Sequence, residues 1–166
     1  MKQLITNIVL AVIWAAVTGT ISLANLVIGF ILGYLVMLIA APAIDAENYT
    51  RRMRLGVVFI FYFIKELVVS SVRVAKDVMT PGFKMQSGII GIPMDCESDL
   101  EKTLLANFIS LTPGTLSVDI PNGGDILYIH AMYVDNGDID AVIHEIKNGM
   151  ERHILELTRP DYKMKK

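Results

Sequence analysis

The sequence predicts a membrane-embedded α-helical hairpin, a third membrane or interfacial helix, and a small soluble α+β domain of order β-α-β-β-α. Three observations predict it. The 166-residue chain is 53% hydrophobic with a mean hydropathy of +0.50, above the roughly 45–50% apolar content of an ordinary soluble domain. The apolar excess lies almost wholly in the first half. Charge divides at the same place, with a net +3 over residues 1–79 and a net −5 over residues 80–166. A membrane segment 1–79 and a soluble domain 80–166 are therefore expected.

The first apolar run spans Leu4 to Val17, and Thr18-Gly19-Thr20 interrupts it. A second run, Ile21 to Ala41, carries no charge and has the roughly 20 residues that a helix needs to cross the hydrocarbon core. Helices over about 4–18 and 21–41 are expected, turning at Gly19. A cleaved signal peptide fits less well, because the second run begins almost at once. Gly29-x-x-x-Gly33 puts two glycines on one helical face, where a neighbouring helix can approach closely. That neighbour is either the other arm of the hairpin or a partner subunit.

Pro42 ends the second run, and Asp45 to Arg54 reads as a polar loop with three arginines. A third helix over about 55–79 starts with an apolar decade, Leu55 to Ile64. It continues with Lys65, Glu66, Ser70, Ser71, Arg73 and Lys76 along one stripe. If it spans the membrane, basic groups fall on both sides, with Lys84 among them. If it lies at the interface, all basic groups share one side and the positive-inside rule is better satisfied. Lys65 and Glu66 are candidate interface or ion-path residues, since charge at membrane depth is costly. Adjacent in sequence, they diverge by about 100° around a helix and do not face each other.

Thr80-Pro81-Gly82 closes that helix. Ser87 to Pro93 reads as a strand. Asp95 to Leu111 reads as a helix, with Leu100, Leu104, Leu105, Phe108 and Leu111 inward and Asp99, Glu101 and Lys102 outward. Ser98 with Glu101 three residues on is a capping box. Thr112-Pro113-Gly114 is a turn, Thr115 to Ile120 a strand, and Pro121-Asn122-Gly123-Gly124 a hairpin connection. Ile126 to Val134 is the longest strand. Asp138 to Leu157 is the last helix, with a stripe of Ile139, Val142, Ile143, Ile146, Met150 and Ile154. This order is a truncated ferredoxin-like pattern.

Several chemistries are excluded. An acidic soluble half argues against nucleic acid as a partner, and Lys163, Lys165 and Lys166 read as a solvated tail. There is no phosphate loop, no paired-cysteine metal pattern and no nucleophile elbow, so no catalytic, cofactor or metal site is expected. The single cysteine, Cys96, has no disulfide partner in the chain. His130 reads as a partly buried strand residue, and His144 and His153 stand too far apart for an i,i+4 metal pair. Asp135, Asp138 and Asp140 resemble the start of a calcium loop, but its twelfth position is Ile146 rather than glutamate.

The run Thr103-Leu-Leu-Ala-Asn-Phe-Ile-Ser-Leu-Thr-Pro-Gly-Thr115, then Leu116-Ser-Val-Asp119 and Leu127-Tyr-Ile-His-Ala-Met132, closely resembles the E-type subunit of the multisubunit Na⁺/H⁺ antiporter of the Mrp type. Trp14, Asn25 to Gly29, Lys65-Glu66-Leu67 and Gly88 to Pro93 are similar to the same family. The resemblance implies an accessory subunit in the cell membrane, multi-pass, with a cytoplasmic C-terminal domain. Its partners are the lipid bilayer and the other subunits of a cation/proton antiporter, and it needs no cofactor. Thr112, Pro113 and Gly114 carry over as a structural turn. The homologous subunit of a membrane-bound hydrogenase or related respiratory complex is the nearest alternative. A stand-alone membrane-anchored binding module is the second.

Overall fold

The computed structural model describes residues 2–44, 46–81, 85–121, 124–134, 137–159 and 162. Asp45, Gly82, Lys84, Asn122, Gly123, Asp135 and the lysines of the tail lie outside the described residues. Backbone contacts divide the chain into two units, Met1–Leu55 and Gly56–Lys166.

The first unit contains α1 (Lys2–Val17), α2 (Leu23–Ala40) and the start of α3 (Glu47–Met79). Gly19 turns the chain with φ 69°, and the Ser22 side chain caps α2 by accepting from the Asn25 N–H. The helix pair is close-packed along small residues. Asn7, Ala11 and Ala15 are the buried positions of α1, and Gly29, Gly33 and Met37 those of α2. The outward residues are large and apolar, among them Ile5, Val9, Ile13, Ile28, Ile31 and Leu35. α2 and α3 are long and apolar enough to cross a membrane, and α1 is a shorter apolar helix.

The structure corrects the expected loop before α3. Residues 47–54 are helical, so α3 begins eight residues ahead of the expected start at 55. Glu47 sits in the first turn, where a carboxylate complements the helix dipole. Tyr49 packs on the Met37–Ala41–Ala46 cluster, and the Thr50 hydroxyl bonds the Glu47 carbonyl at 3.0 Å. Packing and the first-turn carboxylate together outweigh the polarity of the three arginines.

In the second unit the strands are β1 (Gly88–Pro93), β2 (Thr115–Asp119) and β3 (Ile126–Ala131). They form one antiparallel sheet of order β1-β3-β2, with Gly88 opposite Ala131 in one ladder and Thr115 opposite Ala131 in the other. α4 (Asp99–Leu111) separates β1 from β2. After β3 comes a long helical stretch: α5 (Ile139–Ile146), a π-helical turn (Lys147–Glu151) and α6 (Arg152–Thr158). One core unites Ile90, Ile92, Leu127 and Ile129 of the sheet with Leu105, Ile109, Ile146, Met150, Ile154 and Leu155 of the helices. Phe59 of α3 belongs to this core, and its ring meets Phe108 edge-on at 4.7 Å.

One expected helix face is rotated, and the other, which holds Ile146, Met150 and Ile154 inward as expected, is widened. In α4, Leu100 and Leu111 are exposed, while Glu101, Leu105 and Ile109 are buried. The Ser98–Glu101 capping box is present, but it starts the helix at Asp99 rather than Asp95. In the last stretch Ile139 is exposed, and the π turn brings Glu151 and Leu155 inward beside Met150 and Ile154. The longest strand stops at Ala131 instead of Val134. There the Met132 N–H turns to the Gly114 carbonyl and the Val134 N–H to that of Gln86.

Candidate functional site

Three arrangements organise the residues that the sequence singles out. The first is the seam of the hairpin. A Cβ added at Gly29 would stand 2.9 Å from the Ala11 carbonyl oxygen and 3.0 Å from Trp14 Cβ. At Gly33 it would collide with the Asn7 side-chain oxygen. Both glycines therefore face α1, the intramolecular one of the two neighbours considered for them. Two polar clasps flank the seam. The Trp14 indole donates to Asn25 Oδ1 at 3.0 Å, and Asn25 Nδ2 donates to Thr18 Oγ1 at 2.6 Å. Toward the other end, the fully buried Asn7 donates to the Tyr49 hydroxyl at 2.8 Å. Lipid offers no hydrogen bond, so polar groups facing it need such partners; Asn7 Oδ1, buried against Gly33, has none among the described residues.

The second arrangement is a small cavity in the second unit, about 90 Å³ in volume, which brings Glu66 to the Thr112–Gly114 turn. Ser70, Arg73, Tyr133 and Glu145 also line it. Lys65 does not join them and is exposed. The turn is built by hydroxyls. Thr112 Oγ1 donates to the Phe108 carbonyl at 2.9 Å, and Thr115 Oγ1 to that of Ile109 at 2.7 Å. Gly114 has φ 96°, and a Cβ there would sit 3.2 Å from the Tyr133 ring. The guanidinium of Arg73 lies 4.0 Å above that ring, a cation–π contact. The turn thus seats Tyr133, and Tyr133 holds α3 through Arg73. Small-molecule sites run to about 300–1,000 Å³, so this cavity joins elements rather than enclosing a substrate.

The third arrangement is not visible in the sequence. Buried Glu101 accepts from Arg159 Nη2 at 2.6 Å, Arg159 Nε at 3.0 Å and Thr158 Oγ1 at 2.7 Å. The Arg159 guanidinium first, with Thr158 and the Glu97 and Ser98 N–H groups, holds the Glu101 carboxyl down to about 2 despite its burial. Alongside it, Glu151 accepts from the Asp95 N–H. Lys147 Nζ reaches Asp95 Oδ2 at 3.0 Å, Glu151 Oε2 at 3.5 Å and the Pro93 carbonyl at 2.8 Å. Burial opposes the charge on Lys147, but Asp95 and Glu151 outweigh it and raise its pKa. Cys96 lies beside Glu151, and burial followed by that carboxylate pushes its thiol up to about 12, far from a reactive thiolate. This clamp ties residues 93–98 to the last helices. Its only local signals are the capping box and the i,i+4 pair Lys147–Glu151.

Among the described residues no group of three or more His, Cys, Asp and Glu side chains is placed to hold a metal. His144 is exposed; His153 is half-buried and stacks on Tyr62 with ring centroids 4.4 Å apart.

Comparison with known proteins identifies the chain. The model of a family described as Na⁺/H⁺ ion antiporter subunit matches residues 7–157. The E-type subunit of the Na⁺/H⁺ antiporter of Alkalihalophilus pseudofirmus is 35% identical over 157 residues, covering 95% of this chain and 98% of the relative. The corresponding subunit of Bacillus subtilis is 34% identical with the same coverage. Among solved structures, a chain of the membrane-bound sulfane sulfur reductase, an archaeal respiratory membrane complex, superposes with a TM-score of 0.56 at 25% identity. The match covers 92% of this chain and 96% of that one. The sequence motifs, the membrane helices and these matches agree: the chain belongs to the family of E-type subunits of Na⁺/H⁺ antiporters.

Proposed function

We propose that this subunit works by contact rather than by chemistry, supporting assembly and activity of a multisubunit monovalent cation/proton antiporter with no catalytic site of its own. The observation that carries the reading is the inverted packing of the first unit: small and polar residues inside, large apolar residues outside. Such a surface is made for lipid and for other membrane helices. The membrane portion is assigned to residues 1–79 and the soluble domain to residues 80–166, with that domain cytoplasmic. The strand order β1-β3-β2 around α4 supports a ferredoxin-like β-α-β-β-α arrangement lacking a fourth strand.

The third helix is assigned to the interface. Phe59, Tyr62 and Phe63 face aromatic and helical partners of the α+β domain, with Phe63 4.9 Å from the Phe108 ring. Val58, Phe61, Ile64, Val68 and Val72 face outward. One face on protein and one apolar face free is the pattern of a helix lying along a membrane surface, and it agrees with the one-sided distribution of basic residues. Lys65 is then an interfacial anchor, and Glu66 part of the junction between α3 and the turn. Glu66→Gln is expected to leave antiport in membrane vesicles intact. Loss of antiport in a fully assembled complex would assign Glu66 to the ion path.

The test of assembly is a mild-detergent pull-down of the tagged chain from its native membrane, with co-eluting proteins identified by mass spectrometry. Antiporter subunits alone support the reading. Redox subunits beside them would favour the second reading, a homologous subunit in a respiratory complex, which the match to the sulfane sulfur reductase chain motivates. A chain that elutes alone and folded would overturn both.

A further inference from the structure

We infer that the open face of the sheet is an interface for the soluble surface of another subunit of the same complex, one with an apolar centre and a cationic rim. This rests on the assembly reading above. The helices cover one face of the sheet: Ser117 Oγ donates to the Ala106 carbonyl of α4 at 2.8 Å, and Ile90, Ile92, Leu127 and Ile129 are buried beneath. The alternate residues point the other way. Ile89 is 68% exposed, Leu116 and Val118 are each 55% exposed, and Ile126 and Tyr128 are more than a third exposed.

The register makes these side chains neighbours. Ile89, His130 and Leu116 form one cross-strand row, and Tyr128 lies between Gly91 and Asp119 in the next. Residues that none of the described residues covers, yet that are apolar at successive outward positions, mark a contact surface.

Charge selects the occupant. The three strands contain no Lys or Arg. At one end of the face stand the exposed carboxylates Asp119 and Asp125. The nearby cation, Lys102, comes from α4 on the covered face and turns toward Gly124. An anionic lipid surface would meet Asp119 and Asp125 with like charge. A second copy of this chain would bring an identical face, whose strands hold no Lys or Arg to answer them. A partner subunit with Lys or Arg around an apolar centre satisfies both features.

The test uses the full chain in the assembled complex in its native membrane. A photo-crosslinking benzoyl-phenylalanine replaces Tyr128, and crosslinked peptides are identified by mass spectrometry. The expected result is a crosslink to a peptide of another subunit that contains Lys or Arg. Leu116→Lys is expected to lower the co-purifying subunits tenfold or more, and Asp119→Lys about threefold, with the amount of chain in the membrane unchanged. Three results would overturn the interface while leaving the assembly reading intact: crosslinking to a second copy, crosslinking to lipid alone, or no crosslink although the other subunits co-purify. Failure of the unmodified chain to retain any subunit would overturn both.

Discussion

The two units solve the same packing problem with opposite materials. In residues 1–55 the buried positions are Asn7, Ala11, Ala15, Gly29, Gly33, Met37, Ala41, Ala46 and Thr50, mostly small or polar, while many Ile, Leu and Val point out. In residues 56–166 Ile, Leu and Met are inside, and beside the hydroxyl of Thr112 the buried polar side chains among the described residues are the carboxylates of Glu101 and Glu151, each with a cation attached. The difference fits the solvents of the proposed reading, lipid around the hairpin and water around the α+β part from residue 80. Where the surroundings are as apolar as leucine, sequestering leucine gains little, and close backbone approach with side-chain clasps holds the helices together. Wherever apolar side chains are taken out of water, burying apolar area dominates. A charge is then tolerated inside only with its counter-charge.

The largest expected effect comes from breaking the second strategy. Arg159→Ala leaves Glu101 buried without its main partner and is expected to cost about 3–5 kcal/mol. It should lower the thermal transition of the soluble part, followed by near-ultraviolet circular dichroism of its tyrosines. Trp14 is the single tryptophan of the chain and lies in the hairpin, so its fluorescence should not move at that transition. Acid should act on the same clamp. Glu101 is held at about 2, below the 4.5 of a free carboxyl. Its contribution is therefore complete above pH 4.5 and is lost as pH falls toward 2, roughly 3 kcal/mol in all. Denaturation followed across that window should show the loss, and Glu101→Gln should flatten the pH dependence.

Gly29→Leu attacks the first strategy. The new side chain meets the Ala11 backbone, which cannot swing aside, so about 1–3 kcal/mol of overpacking is expected. Here Trp14 fluorescence should report the change and the soluble transition should stay. Gly114→Ala forces a left-handed backbone on alanine and presses on Tyr133, for about 1–2 kcal/mol in the soluble transition. Asn7→Val should have the smallest effect, on the order of 0.6–1 kcal/mol, since buried hydrogen bonds between membrane helices are individually weak. An effect of Asn7→Val matching that of Arg159→Ala would erase the contrast between the units.

What the sequence makes legible is whatever is local. The apolar runs, the Ser98–Glu101 cap, the Gly29–Gly33 spacing and the turn at Thr112–Gly114 each lie within one helix or one loop. Glu101 shows the limit. Beside Asp99 and Lys102 it reads as an outward charge, and it is buried because Arg159, 58 residues away, neutralises it. Phe59, Tyr62 and Phe63 likewise read as part of an apolar span, because nothing within α3 says that Phe108 and His153 will cover one side of it. Residues 47–54 read as a loop from their charge, although Tyr49 carries the opposite information through Asn7, 42 residues away.

The π turn at Lys147–Glu151 has a consequence for insertions and deletions. The Arg152 N–H reaches the Lys147 carbonyl five residues back, so the helix holds one residue more per turn here than an α-helix needs. Gly149 lies in that widened turn, leaving room for the Tyr62 ring and offering its carbonyl to His153 at 2.7 Å. Removing one residue from an ordinary helix turns everything beyond it by about 100°. Removing Asn148 would instead tighten the π turn to α and leave Ile154, Leu155 and Arg159 facing as before. The last helix thus has a single point at which its length can change by one without unfastening Arg159 from Glu101.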